Sequence, residues 1–309
     1  MPRIGLITIV ALLLLGCGAP VASSPTPSGG ASSTPNAAPA QTPSATPDQT
    51  PVKLVPPTTS QAAAHVFVIV METSSLARAL TAPSIKALTA TAALATNYHA
   101  VASPSLPNYL ALTSGSTWGI TDDAYHVLPA GGLGAQLTAA GVTWRAYMEG
   151  MTQAGCLRSP YPYAVKHNPF AYYGGGCPEN VVALDALESD LAGATPSFVW
   201  ITPDLCHDGH DCALSVAGPW LDGMVGRIVA SPGWRAGSVL FVVWDEGSGG
   251  GPNVVPLIAA APGLTPRQSE VAYDHYSLLA TIEDLFHIPR LGAATTARSL
   301  TELLAPQAP

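Results

Sequence analysis

The chain has 309 residues, of which 48% are hydrophobic and only 10% charged, with 30 Pro and 29 Gly. Twelve Lys and Arg against 20 Asp and Glu leave a formal charge of −8, too little positive charge to neutralise a run of phosphates, which excludes a nucleic-acid binder. The length suits one large α/β unit with appendages.

At the start of the chain, Arg3 is followed by an apolar run from Ile4 to Leu15. About a dozen apolar residues are too few to span a bilayer and read as the core of a signal peptide. The run ends in Leu14-Leu15-Gly16-Cys17, which resembles the lipobox of bacterial lipoproteins. Cys17 is then expected to carry lipid and to anchor an exported protein on the extracytoplasmic side of a membrane; an ordinary cleaved signal is the alternative. Residues 18–61 are mostly Pro, Ser, Thr, Ala and Gly, a composition that buries too little apolar surface to order itself and reads as a tether. Such a tether spans about 40 Å coiled and about 130 Å fully extended. Residues 62–309 are expected to form the one folded, catalytic domain.

Within that domain, short β-branched and aromatic runs alternate with helical stretches, predicting a doubly wound α/β fold with a mainly parallel sheet covered on both faces. Predicted strands are 65–71, 142–148, 197–202, 239–244 and 255–260; predicted helices are 84–98, 106–114, 182–192, 220–229 and 276–286. Ligands of such sheets gather beyond the carboxyl ends of the strands. The first strand ends in Glu72 and the fourth in Asp245-Glu246. Buried carboxylates need a partner, and with few cations nearby a divalent metal is the expected one; capping a helix or facing solvent is the alternative.

Ser103-Pro104-Ser105-Leu106-Pro107-Asn108-Tyr109 leads into an apolar-periodic stretch. Pro107 fits a first helical turn, which puts Ser105 at the helix entrance, where free N–H groups favour an oxyanion; a plain helix cap is the competing reading. After the third strand, Asp204-Leu205-Cys206-His207-Asp208-Gly209-His210-Asp211-Cys212 concentrates acids and imidazoles suited to metal ligation or proton transfer. In an exported chain Cys206 with Cys212, and Cys156 with Cys177, are expected as disulfides rather than a thiolate site, with other connectivities left open by the sequence.

Taken in order, Met71-Glu72, SPSLPNYLALTSG, TPDLCHDGHD, Val243-Trp244-Asp245-Glu246-Gly247 and Asp274-His275-Tyr276-Ser277 resemble the phosphoesterase family of bacterial phospholipases C and secreted acid phosphatases, within the alkaline-phosphatase-like superfamily. The short form is most similar to the acid phosphatases. The resemblance implies that Glu72, Asp245, Glu246 and the Ser105 oxygen surround one metal, with Ser105 transiently phosphorylated, and that Asn108 holds a phosphoryl oxygen. It further implies that Asp208, His210 and His275 form the other half of the site, binding a second metal or protonating the leaving group. Lys166 and His167, in Lys166-His167-Asn168-Pro169-Phe170, become electrostatic partners of the phosphate. The metal ion, one or two in number, is of unspecified identity, and the substrate is a phosphorylated small molecule or a phospholipid headgroup.

Two positions depart from that pattern. Thr73 stands where relatives carry Asn beside the substrate, and Ser103 where they carry His. The expected activity is metal-dependent hydrolysis of phosphate monoesters. Phospholipase C-type diester cleavage, or a non-catalytic headgroup-binding lipoprotein on a degenerate scaffold, are the alternatives.

Overall fold

The computed structural model describes residues 63–248 and 251–305; the signal-peptide reading, Cys17 and the tether fall outside them. In chain order the elements are β1 (Val66–Met71), α1 (Leu76–Ala79), α2 (Pro83–Thr91), β2 (Ala93–His99), α3 (Ser105–Ser114), α4 (Gly132–Ala139), β3 (Trp144–Met148), β4 (Val181–Ala183), α5 (Ala186–Ala192), β5 (Phe198–Thr202), α6 (Leu214–Ala230), β6 (Val239–Trp244), β7 (Val254–Ala260), β8 (Arg267–Ser269), β9 (Tyr273–Asp274), α7 (His275–Phe286) and α8 (Thr301–Leu304).

The strands form one sheet in the order β4-β3-β5-β1-β6-β7-β2-β8, with β9 also on β2. β1, β5 and β6 are buried at every position, the pattern that an interior parallel strand covered on both faces imposes. β1 lies between β5 and β6 and is parallel to both. β7 alone runs against its neighbours, β6 and β2. This is the predicted α/β sheet, mainly parallel.

Three elements differ from expectation. The stretch read as a helix over 84–98 ends at Thr91, and Ala93–His99 is strand β2. Its Ala-rich sequence favours helix locally, but pairing with β7, β8 and β9 decides the outcome. The start of the predicted helix over 182–192 is strand β4, paired with β3. α6 begins ahead of Pro219 rather than after it. No helix among the described residues is long and apolar enough to cross a membrane.

α3 is buried along its whole length. Its far end stops at Gly115, in the left-handed region at φ 68°, where the backbone meets Gly292 at φ 47°. A Cβ on Gly115 would lie 2.3 Å from the Leu291 carbonyl oxygen, and one on Gly292 would lie 2.4 Å from the Gly115 carbonyl oxygen. Only two glycines allow this approach, which the Ala293 N–H closes by donating to the Gly115 carbonyl at 2.8 Å.

Candidate active site

Register builds the site first. Met71 of β1 pairs with Trp244 of β6, so the next residues, Glu72 and Asp245, leave adjacent parallel strands at the same height. The Asp245 N–H donates to the Met71 carbonyl, and the Ser74 N–H to the Glu246 carbonyl, extending the pairing past the strands. Glu72, Asp245 and Glu246 each bring a carboxylate oxygen within 4.8 Å of the others. Glu72 and Asp245 are fully buried, and Asp245 Oδ2 has no hydrogen-bond partner.

Burial, and then the charges of Glu72 and Glu246, push the Asp245 carboxyl well above the usual carboxylate range. Burial likewise raises Glu246, against a hydrogen bond from Ser103. Burial opposes ionisation of Glu72 too, but His167 outweighs it and holds Glu72 below its ordinary value. Three convergent oxygen donors, among them a buried oxygen without a partner, fit a hard divalent cation of the Mg²⁺, Ca²⁺ or Mn²⁺ kind.

His167 supplies the nearest positive charge. Its Nε2 lies 2.5 Å from Glu72 Oε1 and its Nδ1 3.2 Å from Asp208 Oδ2, contacts governed by charge, since the first is not aligned as a hydrogen bond. Burial lowers the basicity of the imidazole, but Glu72 and Asp208 raise it to about 9. The Tyr109 ring stacks on it with centroids 5.1 Å apart and planes 13° from parallel, fixing the imidazole between the two acids.

The loop after β5 carries the motif's remaining acids and imidazoles. Cys206 and Cys212 are disulfide-bonded, as are Cys156 and Cys177. The Asp208 carbonyl accepts from the Glu72 N–H at 3.0 Å, and its carboxylate accepts from the His210 N–H at 2.8 Å. His210 Nδ1 faces Asp211 at 2.7 Å and its Nε2 lies 3.4 Å from Lys166 Nζ. Lys166 pairs with Asp123 at 3.0 Å, and the other oxygen of Asp123 accepts from the Leu106 N–H at 3.0 Å. Ser105 opens α3 just ahead of that N–H and is 1% exposed.

Two expected roles are corrected by these contacts. Asn108 has no donor left for a phosphoryl oxygen: its Oδ1 accepts from the Val101 and Ala102 N–H groups, and its Nδ2 donates to the Ala102 and Pro104 carbonyls. It shapes the turn that delivers Ser105. His275 is likewise spent, with Nε2 donating to the Asp245 carbonyl at 2.6 Å and Nδ1 accepting from the Tyr98 hydroxyl at 3.0 Å. Burial lowers its basicity to about 4, so it is a neutral support beneath Asp245, not a ligand or an acid.

Asp208 and His210 do not close a second set of three ligands among the described residues; the other such set is Glu149, Asp204 and His207. Its members already satisfy one another and Trp220. Asp123 was missed by the sequence reading. Its only sequence signal is the adjacent acid pair Asp122-Asp123 in a chain poor in charge.

A family model described as the Phosphoesterase family matches residues 61–289. The chain belongs to that family. As a phosphoesterase it is a phosphoric ester hydrolase. It is 30% identical over 251 residues to a phosphatidylinositol-3-phosphatase of Mycobacterium tuberculosis, covering 78% of this chain and 82% of that one. It is 28% identical to a phosphate-repressible acid phosphatase of Penicillium chrysogenum, covering 69% of this chain and only 56% of that longer relative. Among solved structures, an alkaline phosphatase superfamily protein of Vibrio parahaemolyticus superposes with a TM-score of 0.57 at 12% identity, over 80% of this phosphoesterase and 72% of that chain. That likeness is one of fold.

Proposed function

We propose that this phosphoesterase hydrolyses phosphate monoesters through a phosphoserine at Ser105. The observation that carries the reading is the Met71–Trp244 register, which sets Glu72 and Asp245 side by side and leaves Asp245 Oδ2 buried and unpartnered. Glu72, Asp245 and Glu246 would hold a divalent cation. When bound, that cation supplies positive charge that favours the ionised serine and the phosphoryl oxygens.

The chain's own residues do the rest. α3 presents Ser105 at its N-terminus, whose N–H groups and dipole favour the phosphoryl charge. Ser105 Oγ, giving up its proton, attacks phosphorus as the bond to the leaving oxygen breaks; water then attacks the phosphoserine, the serine O–P bond breaks, phosphate is released and Ser105 regains a proton. Lys166 adds charge at the same edge and donates to His210 Nε2, His210 being braced by Asp211, and the leaving oxygen takes its proton from water. His167 stays cationic and keeps Glu72 ionised. Phosphoryl transfer asks mainly for this kind of positioning and electrostatic support. A cavity of about 550 Å³ lined by Leu76, Ser103, Glu246, Pro252 and Val254 adjoins the acids and offers room for the alcohol.

The names of the relatives, an acid phosphatase and a phosphoinositide phosphatase, favour monoesters over diesters. The two disulfides favour the reading of an exported enzyme, tethered by residues 18–61 to a lipid on Cys17. The decisive assay is hydrolysis of an aryl phosphate with and without chelator, beside Ser105→Ala. The expected loss is at least about a thousandfold in the variant; parental activity in Ser105→Ala would remove the mechanism.

A further inference from the structure

We propose that Asp123 competes with the substrate for the phosphate seat. In the substrate-free enzyme its carboxylate occupies two donors, the Leu106 N–H beside Ser105 and the Lys166 ammonium, and yields them when a phosphoryl group arrives. This inference rests on Ser105 being the attacking group.

The geometry begins with a missing cap. α3 is preceded by Pro104, which offers no side-chain acceptor to the first free N–H groups. Asp123 reaches back from the loop beyond the helix, placing Oδ1 3.0 Å from Leu106 N and Oδ2 3.0 Å from Lys166 Nζ. One carboxylate therefore does at this helix entrance what two phosphoryl oxygens would do: it accepts from a backbone N–H and from an ammonium.

The loop that carries Asp123 also has contacts of its own. Its neighbour Asp122 accepts from the Ala124 N–H and pairs with His126 on the outer side. Asp123 itself is 31% exposed, so its side chain has solvent to turn into. Its charge also reaches Glu246, so a phosphate bound to Lys166 with Asp123 still in place would face one more anion beside the three strand-end acids. A carboxylate in this position weakens the hold on free phosphate and so hastens its departure after each turnover.

Asp123→Asn keeps an acceptor for Leu106 N–H and removes the charge that claims Lys166; Asp122→Asn removes an equal charge one residue away. Inorganic phosphate is the probe, measured as a competitive inhibitor and by calorimetry, the second needing no turnover. The expected result is phosphate binding about fivefold tighter in Asp123→Asn, with Asp122→Asn matching the parent. Should the amide disturb the loop, Asp123→Ala repeats the test with the same expectation. Equal or weaker phosphate binding in the Asp123 variants overturns the inference, as does equal tightening in Asp122→Asn, which would mark a general charge effect. An inactive Ser105→Ala with unchanged phosphate affinity in Asp123→Asn removes this inference alone, whereas full turnover in Ser105→Ala removes the mechanism beneath it as well.

Discussion

His275 Nε2 donates to the Asp245 backbone carbonyl at 2.6 Å, so an imidazole with no access to solvent props the residue at the centre of the acid cluster. A carbonyl can only accept, which fixes the proton on Nε2 and leaves Nδ1 to accept from Tyr98. Burial lowers this imidazole from 6.5 to about 4. The unfolded chain then binds a proton below pH 6.5 that the folded chain refuses until about 4, so the stabilisation is complete above pH 6.5 and is lost as pH falls toward 4. The loss is on the order of 3 kcal/mol. Thermal melts of the parent and of His275→Gln between pH 7 and 4 check this: the variant should be less stable at pH 7 and have a flatter profile. A parallel profile would contradict it.

Asp245 gives a prediction of opposite sign. Without a cation, burial and the two neighbouring carboxylates act against its charge, so Asp245→Asn is expected to raise the melting temperature of chelator-treated protein. The same change removes a donor, so the melting shift that Mn²⁺ or Mg²⁺ gives the parent should disappear. Melting curves with chelator and with added cation read both effects. A variant that is destabilised in chelator, or that keeps the metal shift, would contradict the cluster's role.

Thr73 sits at φ 35°, in the left-handed region that a branched side chain enters only at a cost of about 1–3 kcal/mol. Its hydroxyl donates to Glu72 Oε2 at 2.6 Å and its N–H to Asp245 Oδ1 at 3.1 Å, so the strained backbone keeps two contacts with the acids. Asn tolerates this conformation far better. Thr73→Asn should therefore stabilise the fold by about 1 kcal/mol, and its amide should raise turnover of an aryl phosphate. Lower stability in a denaturant titration would show that the hydroxyl contact outweighs the strain.

Glu283 lies in the core against the turn that follows α7. Oε1 accepts from the Leu291 N–H at 2.8 Å while Oε2 is buried without a partner. Burial raises its carboxyl from 4.5 to about 8. The folded chain holds this proton longer than the unfolded one, so the stabilisation is whole below pH 4.5 and fades as pH rises through 8. Glu283→Gln, permanently neutral, should melt higher than the parent at pH 9 and show little difference at pH 4.5.

The sheet and its acids were legible because the signals are local. VFVIVM and VLFVVW read as buried strands, and acids directly after them stand out in a chain so poor in charge. β2 was not legible, because ALATNYH continues an Ala-rich helical stretch and only its partners make it a strand. The roles of Asn108 and His275 failed for one physical reason. Residue type and motif position say what a side chain is able to bind, whereas the backbone carbonyls and N–H groups it meets after folding say what it has left. Asp123 escaped notice in the same way, since the partner that defines it is the backbone N–H of Leu106.

The glycine pair at the rear of α3 has a mechanical consequence for chemistry at its front. Ten residues of helix place Ser105 about 15 Å from Gly115, and the element is too stiff to absorb a push at one end without passing it to the other. A single methyl group at position 292 would press on the Gly115 carbonyl, at the rear of the helix that carries Ser105 at its front. The room for side chains at that remote seam is thus no wider than two glycines leave it.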